Sequence, residues 1–300
     1  MKELLKNKRL ISLSIVIVIA IFSWWMKNRD TVGSASTNSG EVVASSGEFV
    51  AAVNEGNPDI HIALGIPTSA NATNTYLLKR AQYVLSYNPS TKNPDWVSWN
   101  LSAWWYGDAE RFKGQFIPDN ELPRSLGERT THRDYTGSGF DRGHMVRSEE
   151  RTRNDEDNRS TFYTTNLLPQ YHELNAGPWL RLEEFCEYLC KRKNKELYVI
   201  SGPIYSSDMG EIGKGVRVPS ECFKIVVMLD KGQGLKDITQ NTRIITVRMP
   251  NSRDIQGTQW RSYETTIRAI EQATGYDFLS SVPKQIQDIL ETKVSNPAES

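Results

Sequence analysis

The chain has 300 residues, with 36 Lys and Arg against 36 Asp and Glu, four His, three Cys and a formal charge of zero. That length supports one large domain or two small ones around a real core, and 38% apolar with 24% charged residues excludes a polytopic membrane protein, a collagen and a wholly disordered chain. Three cysteines are too few for a small disulfide scaffold, and a neutral balance argues at first sight against binding a polyanion.

The charge is unevenly placed. Residues 1–30 carry Lys2, Lys6, Lys8, Arg9, Lys27 and Arg29 against Glu3 and Asp30, a net of +4, which leaves −4 for residues 31–300. Between the two basic clusters, the seventeen residues Leu10 to Met26 hold no charge. That is the short limit of a bilayer span, and Trp24 and Trp25 fall where an interfacial belt would lie. No small-residue cleavage site follows directly; the nearest is Val32-Gly33-Ser34-Ala35-Ser36. Residues 1–30 therefore read as an uncleaved signal anchor, one N-terminal hydrophobic helix in the cell membrane with the body on the exported side. A cleaved signal, giving a secreted or periplasmic protein, is the main alternative, and an organelle-targeting segment is a third. Residues 31–57 are rich in Ser, Gly, Ala, Thr and Asn without apolar periodicity and read as a flexible linker.

From residue 58 the texture changes, and a domain is expected over 58–292 with a disordered tail at 293–300. Segments 82–87, 96–101, 161–165, 196–200, 223–229 and 243–248 read as strands. Trp179, Leu182, Cys186 and Leu189 recur at helical steps and predict a helix over 175–192, with Pro178 tolerated in its first turn. Two more helices are expected at 260–273 and 283–292. Long strands interrupted by a central helix predict an α+β domain on a mixed or antiparallel sheet. Cys186 and Cys190 stand four apart on one helix, where a bridge would distort it, whereas Cys222 could pair with either in an oxidising compartment.

The chemistry concentrates between residues 141 and 187. Asp141-Arg142-Gly143-His144 follows the turn-forming Thr136-Gly137-Ser138-Gly139-Phe140, and further on come Thr165-Asn166, Pro169-Gln170, Asn175-Ala176-Gly177-Pro178-Trp179 and Leu182-Glu183. His144 offers an imidazole that titrates near neutrality, hence a general base whose activity should fall below about pH 6. Arg142 offers a fork matched to phosphate oxygens. Asn175 and Glu183 offer oxygen ligands, which suit a hard cation such as Mg²⁺ rather than zinc. Eight helical residues place them about 12 Å apart along the axis, so one direct amide ligand with Glu183 on a cation-bound water fits better than two direct ligands. A base, a phosphate clamp and a water-rich cation describe metal-assisted phosphodiester hydrolysis. His61, His132 and His172 read as ordinary histidines, without zinc spacing towards the cysteines. Trp104-Trp105-Tyr106 reads as core before it reads as a base-stacking platform. Arg147, Arg151 and Arg153 alternate with Glu149, Glu150 and Asp155 as an exposed face, with a phosphate-guiding rim as the competing reading.

Together these motifs resemble the DNA/RNA non-specific endonucleases of the ββα-metal, or His-Me finger, class. The likeness extends through Leu85-Ser86-Tyr87-Asn88, Trp96 to Trp99, Glu196 to Pro203 and Phe223 to Val227, about residues 58–275. It implies a ββα-metal motif, His144 activating water, Asn175 as direct Mg²⁺ ligand with Mn²⁺ able to substitute, and Glu183 on a metal-bound water. It also implies Arg142 on the phosphate, Asn166 supporting the site and Arg111 neutralising the transition state. DNA and RNA are the implied substrates, cut to 5′-phosphorylated products, with no obligate protein partner. One position departs: the family commonly has an Arg one turn after the Glu, and here it is Glu187, which leaves Arg159 or Arg181 to stand in. That departure keeps open an inactive, surface nucleic-acid-binding or uptake component, and beyond it a tethered interaction module.

Overall fold

The computed structural model describes residues 57–70 and 75–294. The segments read as signal anchor and linker, and the last residues of the tail, lie outside them. Among the described residues no helix is long and apolar enough to cross a membrane.

Six strands build the central sheet: β1 (Tyr76–Lys79), β2 (Val84–Asn88), β3 (Asn93–Leu101), β6 (Lys195–Ile204), β9 (Glu221–Asp230) and β10 (Arg243–Pro250). They lie side by side in that order, every pair antiparallel. Two short ribbons stand apart, β4 (Asp141–His144) with β5 (Leu167–Gln170), and β7 (Glu211–Ile212) with β8 (Val216–Arg217). The helices are α1 (Asp155–Ser160), α2 (Leu180–Lys193), α3 (Ile267–Thr274) and α4 (Lys284–Leu290).

Side-chain alternation in the long strands explains the layering. Along β9, Phe223, Ile225, Val227 and Leu229 join Trp96, Ile200 and Ile244 in one core, which α3 and α4 cover with Ile267, Ile270 and Leu290. Cys222, Val226 and Met228 face the opposite way, with Trp99, Val199 and Val247, into a second core closed by Trp179, Leu182, Cys186 and Leu189 of the α2 segment. Both faces of the sheet are buried, so the strands read as continuous apolar runs. Each large side chain removed from water there contributes about 1.5–3 kcal/mol. The expected α+β class with an antiparallel sheet is what the chain adopts.

The sequence reading errs at three places. Residues 161–165 are not a strand: α1 ends at Ser160, a tight turn follows over Thr164–Asn166, and β5 begins at Leu167. The buried Asn166 side chain bonds the backbone of Val146 and Thr161, which holds that stretch as a turn. The helix expected at 175–192 is two pieces, because Gly177 has non-helical angles (φ −100°, ψ −124°) and Asn175–Trp179 forms a wide turn before α2. The helix expected at 260–273 begins only at Ile267, behind its cap Thr266. Cys186, Cys190 and Cys222 are free, buried thiols, so no Cys222 bridge forms.

Candidate active site

β4 and β5 pair with Asp141 opposite Gln170, Arg142 opposite Pro169, Gly143 opposite Leu168 and His144 opposite Leu167. The chain then turns through His172–Leu174 and the wide turn into α2, giving two strands and a helix in succession. Gly143 is required because a Cβ there would overlap the side chain of Gln170, itself fully buried. Past the ribbon, Met145 N donates to Asn166 O at 2.9 Å and Val146 N to Asn166 Oδ1 at 3.0 Å. Asn166 Nδ2 donates to the carbonyls of Val146 and Thr161, each at 2.9 Å. All of its amide atoms are thereby engaged with backbone, and Asn166 fixes the chain that leaves His144.

The His144 ring lies 5.2 Å from that of Phe116 and edge-on to that of Phe162 at 5.3 Å. Its Nε2 is buried with no hydrogen-bond partner among the described residues. Burial first, then the positive charges of Arg111 and Arg147, push its pKa down to about 3, against an opposing pull from Glu149. The imidazole is therefore neutral and a weaker base than an ordinary histidine, and its buried Nε2 has no partner among the described residues.

Arg111 reaches this neighbourhood over the Phe162 ring, 5.1 Å from its centroid. Its Nη1 donates to Ser148 Oγ, and to Glu149 Oε1 at 2.8 Å. Arg142 is held differently: Nη2 bonds His132 O at 2.9 Å and Thr136 Oγ1 at 3.1 Å, and lies 3.3 Å from His132 Nε2. The guanidinium sits between Phe116 and Tyr135, and its buried Nε has no partner among the described residues.

Asn175 opens the wide turn. Its Nδ2 donates to Asp141 Oδ2 at 3.0 Å, the oxygen that His172 Nδ1 approaches at 2.9 Å. The amide nitrogen is thereby occupied and the amide oxygen, the atom a hard cation takes, is not engaged by this bond. With the Asp141 carboxylate beside it, the donor set is all oxygen and fits Mg²⁺ or Mn²⁺. Glu183, on the first turn of α2, is buried, and Lys224 Nζ donates to its Oε1 at 3.0 Å while Arg147 Nε stands 4.0 Å from Oε2. Burial raises the Glu183 carboxyl and Lys224 opposes that rise.

Three of these neighbours were not read from the sequence as site residues. Lys224 interrupts the apolar run of β9 and lies 4.3 Å from the Trp179 ring centroid; a lone lysine in a strand buried on both faces was the available signal. Asp141 was visible only as the first letter of its motif. Arg147, counted with an exposed face of which Arg151 and Glu150 are in fact buried, pairs with Glu149 at 3.1 Å and Glu187 at 3.2 Å. It is the arginine beside Glu187. Arg159 instead lies over Phe112, and Arg181 pairs with Glu184 at 3.3 Å, so neither takes that place. Trp105 is buried and Trp104 carries the Arg153 guanidinium 3.7 Å from its ring centroid, as expected of packing residues.

The model of the family described as DNA/RNA non-specific endonuclease matches residues 61–285. The chain belongs to that family. It is 43% identical over 243 residues to a protein named Nuclease from Nostoc sp., covering 79% of this chain and 86% of that one. It is 30% identical to the mitochondrial nuclease EXOG of Xenopus laevis over 73% of this chain and 62% of that one. With bovine mitochondrial endonuclease G the identity is 28% over 93% of this chain and 95% of that one. Among solved structures, one chain in the crystal structure of the EndoG/EndoGI complex shares the fold, with a TM-score of 0.62, 24% identity and coverage of 75% of this chain and 92% of that chain. A nuclease family and an antiparallel α+β fold are thus established for this endonuclease domain.

Proposed function

We propose that the protein is a metal-dependent, sugar-nonspecific endonuclease that hydrolyses phosphodiester bonds of DNA and RNA to 5′-phosphorylated products. The observation that carries this is a neutral His144 with a buried, unpartnered ring nitrogen, set beside Arg111 and Arg147 and on the same strand as Asp141, to which Asn175 is bonded. His144 accepts a proton from water as that water attacks phosphorus in line, with the 3′ oxygen leaving. Arg142 and Arg111 offset negative charge on the phosphorane. Asn175 directly, and Glu183 through water, would hold Mg²⁺ or Mn²⁺, whose positive charge stabilises the leaving oxygen and the transition state. Sequence preference is expected to be weak, since phosphate contacts carry no base information.

A binding-only role has one observation in its favour: Glu183 is engaged by Lys224 and approached by Arg147. Supercoiled plasmid and RNA incubated with the purified chain, in Mg²⁺ or in chelator, separate the two. Cleavage should require the metal and fall at least about 100-fold in His144→Ala; a rate unaffected by that substitution sinks the mechanism. Salt-sensitive binding without cleavage is the outcome that favours the second role.

We further propose that residues 1–30 tether the enzyme to a membrane with residues 58–292 exported, or are cleaved to release it. The uncharged run Leu10 to Met26 and the net +4 around it support this. Recovery of the domain in the cytosolic fraction alone would contradict both routes.

A further inference from the structure

Glu149 occupies an unusual position for a carboxylate in a site that receives phosphate. It lies in the short turn Ser148–Glu150 that follows the His144 ribbon. Its Oε1 accepts from Arg111 Nη1 at 2.8 Å, and its Oε2 lies 3.1 Å from Arg147 Nε, with Ser148 Oγ donating to that same Oε2 at 2.9 Å. One carboxylate thus bridges two arginines, one oxygen to each, beside the candidate base. The two non-bridging oxygens of a phosphodiester would meet the same two guanidinium groups in the same manner.

Exposure distinguishes Glu149 from the other acids here. Glu183 is buried against Lys224, and Glu187 is shared between Arg147 and Lys191. Glu149 alone of the three also binds Arg111, and its side chain is 40% exposed, as is that of Arg111 at 52%. Both are therefore open to an incoming anion, and the exposed half of the bridge is weak enough to exchange.

We infer that Glu149 is a resident stand-in for the substrate phosphate. In the free protein it neutralises Arg111 and Arg147 and holds them side by side; a nucleic-acid phosphate takes its place and the glutamate swings to solvent. The inference rests on the nuclease reading of this site. Its consequence is restraint: an enzyme without base-specific contacts keeps its exposed arginine covered until a flexible polyanion competes for it.

The test is binding, measured in chelator so that no cleavage occurs, by fluorescence anisotropy of a 20-base-pair DNA across a salt series. Glu149→Gln should bind about fivefold more tightly than wild type at low salt. Its log Kd against log salt should also steepen by about one phosphate contact. Glu149→Ala, checked for an unchanged melting temperature, should behave alike. Asp230→Asn, the same charge change at the end of β9, should not. Equal or weaker binding by both Glu149 variants overturns the inference and makes Glu149 a strut for the arginines; so does equal tightening in Asp230→Asn, or no measurable binding by any form. Cleavage in Mg²⁺ is assayed on the same preparations. Wild type that binds but does not cut sinks the nuclease reading alone, and wild type that cuts without tighter Glu149 variants sinks this inference alone.

Discussion

At the scale of the residue, burial decides what His144 can do. A fully solvated histidine would take up a proton as pH falls through about 6.5. Packed between Phe116 and Phe162 and beside two arginines, it is held neutral to about pH 3. The rate at saturating substrate and metal should therefore stay level between pH 7 and pH 5, where an ordinary histidine would lose about tenfold per unit below its pKa. A pH–rate profile checks this, and an acid limb centred near pH 6.5 would contradict it. The motif letters around His144 were legible in the sequence because each has a local reason, Gly143 for the approach of Gln170 and Asn166 for the backbone of Val146. Its titration was not, because Phe116 and Arg111 are distant in the chain.

At the scale of the element, α2 is organised by its buried acid. Glu183 was expected on one face of a continuous helix with Asn175, and the kink at Gly177 separates them into turn and helix. What fixes Glu183 is β9: Lys224 is buried between the layers, against Trp179 and Trp99. Removing one partner of a buried pair leaves the other charge uncompensated, which costs about 3–5 kcal/mol. Lys224→Met should therefore lower the melting temperature sharply in thermal denaturation, and Lys224→Met with Glu183→Gln should recover part of the loss. Additive losses would mean that the two side chains do not depend on each other. Periodicity located α2, whose apolar stripe is local. It carried no information on the strand beneath.

At the scale of the whole molecule, buried histidine rings and buried carboxyls titrate in opposite senses. His144 in the candidate site falls to about 3, as does His61, buried between the Ala81 carbonyl and the Asn100 amide. Their contribution is complete above the ordinary pKa of 6.5 and is lost as pH falls towards 3. Glu291, just after α4, is raised to about 7 by burial and by Glu271, although Arg268 bridges both. Its contribution is complete below the usual carboxylate pKa of 4.5 and is lost as pH rises through 7. Glu291→Gln should therefore gain stability relative to wild type at pH 8 compared with pH 5, as read from melting temperatures at the two values. A difference independent of pH would contradict the assignment. The zero net charge with which the sequence opens bears on none of this, since the −4 of residues 31–300 includes buried acids paired to buried bases, Glu183 to Lys224 and Asp119 to Arg80.

The sequence by itself determined the family, the α+β class and the residues of the candidate site, because the motif is written in consecutive positions whose spacing follows from a tight ribbon and a turn. The tertiary structure alone decided their charge states and partners. Arg147 beside Glu187, Lys224 beneath Glu183 and the neutral His144 each arise where segments distant in the chain pack together. Burial strengthens every charge interaction at such a place, and no local pattern records it.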